Sequence, residues 1–244
     1  MINFPVICCD DFFQQPDLIR EWLLSLEYKS TSNGIHNGTR TDNFFDINRE
    51  FHNKLAEKIC SLYFNLEYDF LNWETLSTCA TRSSHYVEEK NDIRNRSWIH
   101  KDMESGPIIW NGFAGIIYLN KEVEDNDECG TSLFEISDKS IEHMEDLSYE
   151  DSELKKQFHL GHIKEKKSLD TYIIRQTEWE SKFKRSICFA NYYNRIVIFP
   201  LDMWHRIDNF GVGTGEDRLT LNFWFRNIYE ISKFPIERVN NGIL

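Results

Sequence analysis

Arg218-Leu219-Thr220-Leu221-Asn222-Phe223-Trp224-Phe225 alternates polar and apolar side chains residue by residue. A β-strand points successive side chains to opposite faces. Leu219, Leu221, Phe223 and Phe225 therefore share one face, and Arg218, Thr220, Asn222 and Trp224 the other. The first face is uniformly apolar and suited to carry helices. The second is polar, which is unusual for a strand this hydrophobic, and it begins with an arginine.

Working outward, several other stretches have strand character. They are Phe4–Cys9, Thr75–Val87, the segment around Trp98–Asp102, Phe113–Asn120, Thr131–Ile136, Ile187–Ala190, Arg195–Phe199 and Met203–Ile207. The core set from residue 74 onward is about eight strands at irregular spacing with turn residues between them, which favours a jelly roll or barrel over a parallel sheet. Two amphipathic helices precede it. Pro16 suits a first helical turn, and Leu18, Ile19, Trp22, Leu23 and Leu26 follow on one face. Phe51, Leu55, Ile59, Leu62, Tyr63 and Leu66 recur at helical spacing over 49–66, with Asp46 or Asn48 as the cap. Residues 29–45, rich in Ser, Thr, Asn and Gly, read as loop.

Residues 137–185 interrupt the strands with a charged, mostly helical composition. Ser148 and Asp151 resemble a capping box and Gly161 suits a helix stop. Tyr172-Ile173-Ile174 fits strand as well as helix. The expected organisation is one domain over 1–244: helical support in 1–73, a jelly-roll core over 74–228, and a helical insertion or lid at 137–185.

The chain has 244 residues, 41% hydrophobic and 14% aromatic, enough for a substantial core. The net charge of −12 argues against non-specific nucleic-acid binding, because phosphates favour a basic surface. An acidic small molecule needs only a locally basic pocket. Six cysteines without a C-x-x-C pair point to a reducing compartment, and the expected location is cytoplasmic. No run approaches the ~20 apolar residues of a membrane span, and the N-terminus lacks a signal-peptide pattern.

Trp98-Ile99-His100-Lys101-Asp102 sets an imidazole and a carboxylate two residues apart, on one face if the segment is extended. His205 follows the apolar run Ile196–Phe199 and a proline turn. Two imidazoles and a carboxylate on one face of an octahedral ion form the arrangement of non-haem Fe(II) oxygenases. Arg218 lies thirteen residues beyond His205, and its planar fork matches a carboxylate. Competing readings exist. His100 and Asp102 also fit a surface pair, His205 a core histidine, Tyr118 a core tyrosine, and Arg218 an ion pair with Glu216, Asp217 or an insertion carboxylate. His159 and His162, with His143, make a rival metal cluster, although solvated residues are the simpler account. The acidic run 122–128 lacks a calcium-loop register.

Taken together, H-x-D at His100 and Asp102, the distal His205 and Arg218-x-Thr220 resemble the 2-oxoglutarate- and Fe(II)-dependent dioxygenases, most nearly the prolyl-hydroxylase-like group. The resemblance extends over roughly residues 74–228 and includes Tyr118-Leu119-Asn120 and the turn and strand Cys129–Phe134. The glycine-rich segment and tyrosine that the family carries upstream of H-x-D have no clear counterpart in 84–96.

The resemblance implies a double-stranded β-helix with N-terminal helices on its major sheet. It implies Fe(II) on His100, Asp102 and His205, with 2-oxoglutarate and O2 as co-substrates. Arg218, Tyr118 and Thr220 would bind the distal carboxylate. The implied reaction is hydroxylation of a prolyl residue in a protein or peptide, or of a free amino acid or small metabolite, with release of succinate and CO2. With Asp102 present, hydroxylation is expected rather than halogenation. A non-catalytic jelly-roll domain that binds metal or acid, and a cupin-like metal enzyme that does not use 2-oxoglutarate, are the alternatives.

Overall fold

A computed structural model of the chain describes residues 4–30, 38–66, 72–102, 111–137 and 147–229. The strands in these residues are β1 (Ile7–Cys9), β2 (Lys29–Ser30), β3 (Thr39–Arg40), β4 (Asn72–Ser83), β5 (Phe113–Tyr118), β6 (Thr131–Ile136), β7 (Phe183–Phe189), β8 (Ile196–Pro200), β9 (Trp204–Ile207) and β10 (Arg218–Tyr229). The helices are α1 (Pro16–Leu24), α2 (Phe44–Ile47), α3 (Arg49–Cys60), α4 (Tyr149–His159) and α5 (Lys166–Glu180). Seven strands form a major sheet in the order β1-β8-β5-β10-β4-β3-β2, and three form a minor sheet in the order β7-β6-β9. Every registered pair is antiparallel, as in a jelly roll.

β10 lies inside the major sheet, with Thr220 registered against Tyr118 of β5 and Thr81 of β4. Its apolar face is closed off from solvent: Leu219, Leu221, Phe223 and Phe225 are each at most 2% exposed. They join a core with Leu23 of α1 and Leu55 and Ile59 of α3. Burying such a side chain is worth about 1.5–3 kcal/mol, so this face alone fixes which way the strand turns. Pro16 opens α1, and the Asn48 side chain accepts from Phe51 N at 3.0 Å to cap α3. α3 stops at Cys60, short of the expected Leu66, because tight turns take over, with Tyr63 N donating to Cys60 O. Tyr63 and Phe64 still bury their rings there.

Residues 29–45 are not all loop. β2 and β3 extend the major sheet and α2 follows. Gly38 has φ +80°, and a Cβ there would meet Arg82 O at 2.0 Å, so glycine lets β3 lie down on β4. Thr41 then binds Ala80 twice, through its backbone N–H at 3.0 Å and its hydroxyl at 3.0 Å.

The described part of the insertion is mostly helical, including Tyr172-Ile173-Ile174, and its last three residues already belong to β7. Ser148 accepts from Asp151 N at 3.1 Å, and Gly161 adopts φ +69° after α4. Residues 138–146, with His143, lie outside the described residues, as does His36. Far from being a loose cover, α5 buries Tyr172 and Trp179 in a second core with Trp98, Ile99, Phe134 and Trp204. No described helix is long and apolar enough to cross a membrane.

Candidate functional site

His100 and Asp102 do not sit on a regular strand. The segment is extended, but it makes one bridge, His100 with His205, through N–H···O bonds of 3.0 and 2.9 Å. The reason is local. Trp98 and Ile99 are both buried, which breaks the alternation, and Trp179 Nε1 occupies the Ile99 carbonyl at 2.8 Å. Asp102 N donates to Leu201 O at 3.1 Å, so the segment still tracks β9 and carries its ligand atoms to His205.

The result is a compact donor set. One ligand atom from each of His100, Asp102 and His205 lies within 4.8 Å of the others, the one such cluster among the described residues. His205 Nε2 is 3.5 Å from Asp102 Oδ2. Each imidazole is oriented by a carbonyl two residues upstream: His100 Nδ1 is 2.9 Å from Trp98 O, and His205 Nδ1 is 3.0 Å from Met203 O. A carbonyl only accepts, so each Nδ1 carries the proton and each Nε2 presents its lone pair. Outer hydrogen bonds of this kind fix ring orientation and raise ligand basicity.

The cluster opens into a cavity of about 810 Å³, counted out to its mouth. Ala114, Ile116, Phe199, Phe210 and Trp224 give it apolar walls, and Thr81, Thr131, Thr220 and Asn222 give it polar points. Arg218 lines it and is 1% exposed. Its Nε reaches Cys129 O at 3.4 Å, its guanidinium lies 5.4 Å from the Tyr118 ring centroid, and its Nη2 has no hydrogen-bond partner. The ion pairs weighed for Arg218 are taken elsewhere: Glu216 pairs with Arg20 and Asp217 with Arg82. Burial pulls the Arg218 pKa below its ordinary value, because an uncompensated cation in a dry site is penalised.

Thr220 accepts from Asn222 Nδ2 at 3.2 Å and keeps its own hydroxyl proton to donate. Tyr118 is fully buried behind the cavity wall. Its hydroxyl donates to Thr131 Oγ1 at 2.8 Å, and burial pushes its pKa up to about 12. It is therefore a neutral donor at physiological pH.

Some residues on the cavity were not picked out by the sequence. Arg40, in the stretch read as loop, lines the cavity beside its register partner Thr81. His159, read as solvated, is half-buried on the wall and stacks on Tyr86 at 5.8 Å. His162 is exposed and pairs with Gln157 at 3.0 Å, and among the described residues, which do not include His143, it joins no ligand cluster.

No protein-family model matches the chain, and no curated protein matches it. Solved structures do. The non-haem α-ketoglutarate-dependent carbocyclase SnoK from nogalamycin biosynthesis is 10% identical, with 91% of this chain and 79% of that one covered at a TM-score of 0.51. HygX from Streptomyces hygroscopicus, solved with nickel, 2-oxoglutarate and hygromycin B, is 8% identical, with 90% and 82% covered at 0.51. A Pseudomonas putida prolyl-4-hydroxylase aligns at 10% identity over 91% of this chain and 92% of that one, with a TM-score of 0.47. At such identities the likeness is one of fold: the chain has the double-stranded β-helix, mainly antiparallel with flanking helices, of the SnoK and HygX structures.

Proposed function

We propose that this protein is an Fe(II)/2-oxoglutarate-dependent oxygenase, most simply a hydroxylase. The observation that carries the reading is Arg218: a buried guanidinium with an unsatisfied Nη2, on a cavity that also holds a His/Asp/His cluster. Two Nε2 lone pairs and one carboxylate are a donor set suited to Fe(II) with open positions. When bound there, Fe(II) with 2-oxoglutarate and O2 supplies the oxidising power to replace a substrate C–H by C–OH, leaving succinate and CO2.

The chain supplies positioning. His100, Asp102 and His205 hold the metal. Arg218 takes the distal carboxylate of 2-oxoglutarate in its fork, and Thr220 donates a hydroxyl hydrogen bond to it. Tyr118 backs Arg218 with its ring face and orients Thr131 from behind. The apolar walls exclude water, which strengthens each of these charge contacts. Residues 1–244 work as one unit in this reading, and α4 with His159 roofs the cavity. The substrate is a prolyl residue in a peptide or protein, or a free amino acid or small metabolite of similar size.

The test is anaerobic. Fe(II) and then 2-oxoglutarate are added to the purified protein, and the weak visible charge-transfer band of the chelate is recorded, with Arg218→Ala as control. A band that requires both additions and fades in the variant supports the proposal. Metal binding without a band in the wild type sinks it and favours a metal-binding domain or a cupin-like enzyme.

A further inference from the structure

The cavity holds a second guanidinium that the proposed chemistry does not use. Arg40 reaches it from β3, at the edge of the major sheet. Its Nε is buried without a partner, and among the described residues it forms no hydrogen bond and no ion pair. Its Cζ lies 5.4 Å from the centroid of the Trp224 ring. Burial lowers its pKa, and the nearby Asp102 charge acts in the opposite direction. Arg40 and Asp102 line the same cavity, and no ion pair joins them.

The two arginines serve different places. Arg40 is registered with Thr81, which is registered with Thr220 two residues along β10 from Arg218, so the two arginines start at nearly the same level of the sheet and are told apart by where their guanidinium groups lie. The guanidinium of Arg218 sits over Tyr118 and that of Arg40 sits over Trp224. Charge then separates their roles. A divalent metal, Asp102, Arg218 and doubly charged 2-oxoglutarate cancel one another. Arg40 is left over, and Lys155, which reaches the cavity from α4, already has an interaction of its own. A half-buried cation with no ion-paired partner among the described residues, and with Asp102 committed to the metal, calls for an anion from the remaining occupant, the substrate. One guanidinium without other cationic help matches a singly charged carboxylate better than a doubly charged phosphate.

We infer that Arg40 binds a carboxylate of the substrate, so that this site acts on a small acid or a chain end rather than on an internal, uncharged peptide segment. This rests on the oxygenase reading. The carboxylate would dock between Arg40 and the Trp224 face, and the rest of the molecule would lie toward His100 and His205.

The experiment uses the protein loaded anaerobically with Fe(II) and 2-oxoglutarate. The twenty free amino acids and N-acetyl-L-proline are titrated by calorimetry beside their primary amides, in wild type, Arg40→Gln and Arg40→Lys. At least one acid should bind the wild type ten-fold or more tightly than its amide. Arg40→Gln should lose that factor and Arg40→Lys should recover part of it, while the 2-oxoglutarate band stays in both variants. The inference is overturned if no acid outbinds its amide, if Arg40→Gln binds acids like wild type, or if Arg40→Gln loses the band, which would make Arg40 a co-substrate ligand. A wild type without the band fails the underlying reading first. A band with acid binding indifferent to Arg40 fails this inference alone.

Discussion

Replacing Arg218 with methionine should make the empty protein more stable while abolishing its response to 2-oxoglutarate. Arg218 is 1% exposed, its Nη2 has no partner, and its Nε bond to Cys129 O is a long one of 3.4 Å. An unsatisfied buried polar group costs about 1–3 kcal/mol by mutational measures, and methionine fills much the same length without a charge. The lost contact with the Tyr118 ring returns roughly 0.5–2 kcal/mol of that gain. The net expectation is a stabilisation of about 1 kcal/mol, or about 2–4 °C in Tm for a chain of this size.

Ligand linkage runs the other way. At a hundred times its Kd, 2-oxoglutarate should add about 2.7 kcal/mol to the metal-loaded wild type and nothing to the variant. Thermal melts with Mn(II), with and without 2-oxoglutarate, read both effects. An Arg218→Met protein that is less stable than wild type, or that still shifts with 2-oxoglutarate, would refute the account of Arg218 as a strained, ligand-seeking cation.

Asp102→Ala should leave the fold intact, because the side chain holds up no core, and should weaken Mn(II) or Fe(II) binding by about 100-fold or more, the scale of losing one charged ligand at ~2–3 kcal/mol. Calorimetric titration checks it, and unchanged affinity would remove Asp102 from the metal site. Tyr172→Phe takes away the acceptor for Trp98 Nε1, which it holds at 3.0 Å in the core of the insertion. The orphaned donor should destabilise by about 1–3 kcal/mol in urea melts and loosen metal binding through His100 two residues away. Asp92 has its pKa held below the usual 3.8 by the Arg94 guanidinium, with which it pairs at 2.5 Å. A carboxylate lowered in the folded state contributes stability above its unfolded pKa and loses it as pH falls through the folded value. Asp92→Asn should therefore cost about 0.5–1 kcal/mol at neutral pH, and the gap from wild type should close in acid melts below about pH 4.

The parts of this molecule that were legible in sequence share one physical property: a repeating period against a water boundary. β10 announced both its faces because every second residue is apolar. α1 and α3 did the same at helical spacing, and Pro16 and Asn48 marked their starts. His100, Asp102, His205 and Arg218 were found by chemistry and spacing, and the structure brings all four to one cavity.

Short edge elements escaped, because two residues cannot display a period. β2 and β3 hid in a polar stretch, and Arg40 hid with them. The signal that existed was Gly38 before Thr39-Arg40-Thr41, a glycine where one strand lies down on another. The charged composition of the insertion hides how much of it is core. Its buried residues, Tyr172, Gln176 and Trp179, are spaced three and four apart along a helix whose other faces are wet. Tyr118 was placed at the right strand, but which side of the cavity wall its hydroxyl occupies depends on Thr131, a tertiary neighbour that no local pattern reveals.

The second core, built from α5 with Trp98, Ile99 and Trp204, has a consequence for how the molecule breathes. The core under β10 is assembled from the N-terminal helices and the major sheet, and shares no residue with it. These are two of three cores among the described residues; with no residue in common they can open separately, and amide hydrogen exchange would register them as different protection levels. The amides of His100 and Asp102 belong with the weaker level, since each is protected by a single bond into the 201–205 stretch. Binding of a metal should then slow exchange at those amides and across α5, and leave β10 unchanged. The same division lets the pocket's entrance be rebuilt by changes in the insertion without disturbing the sheet that holds the molecule together.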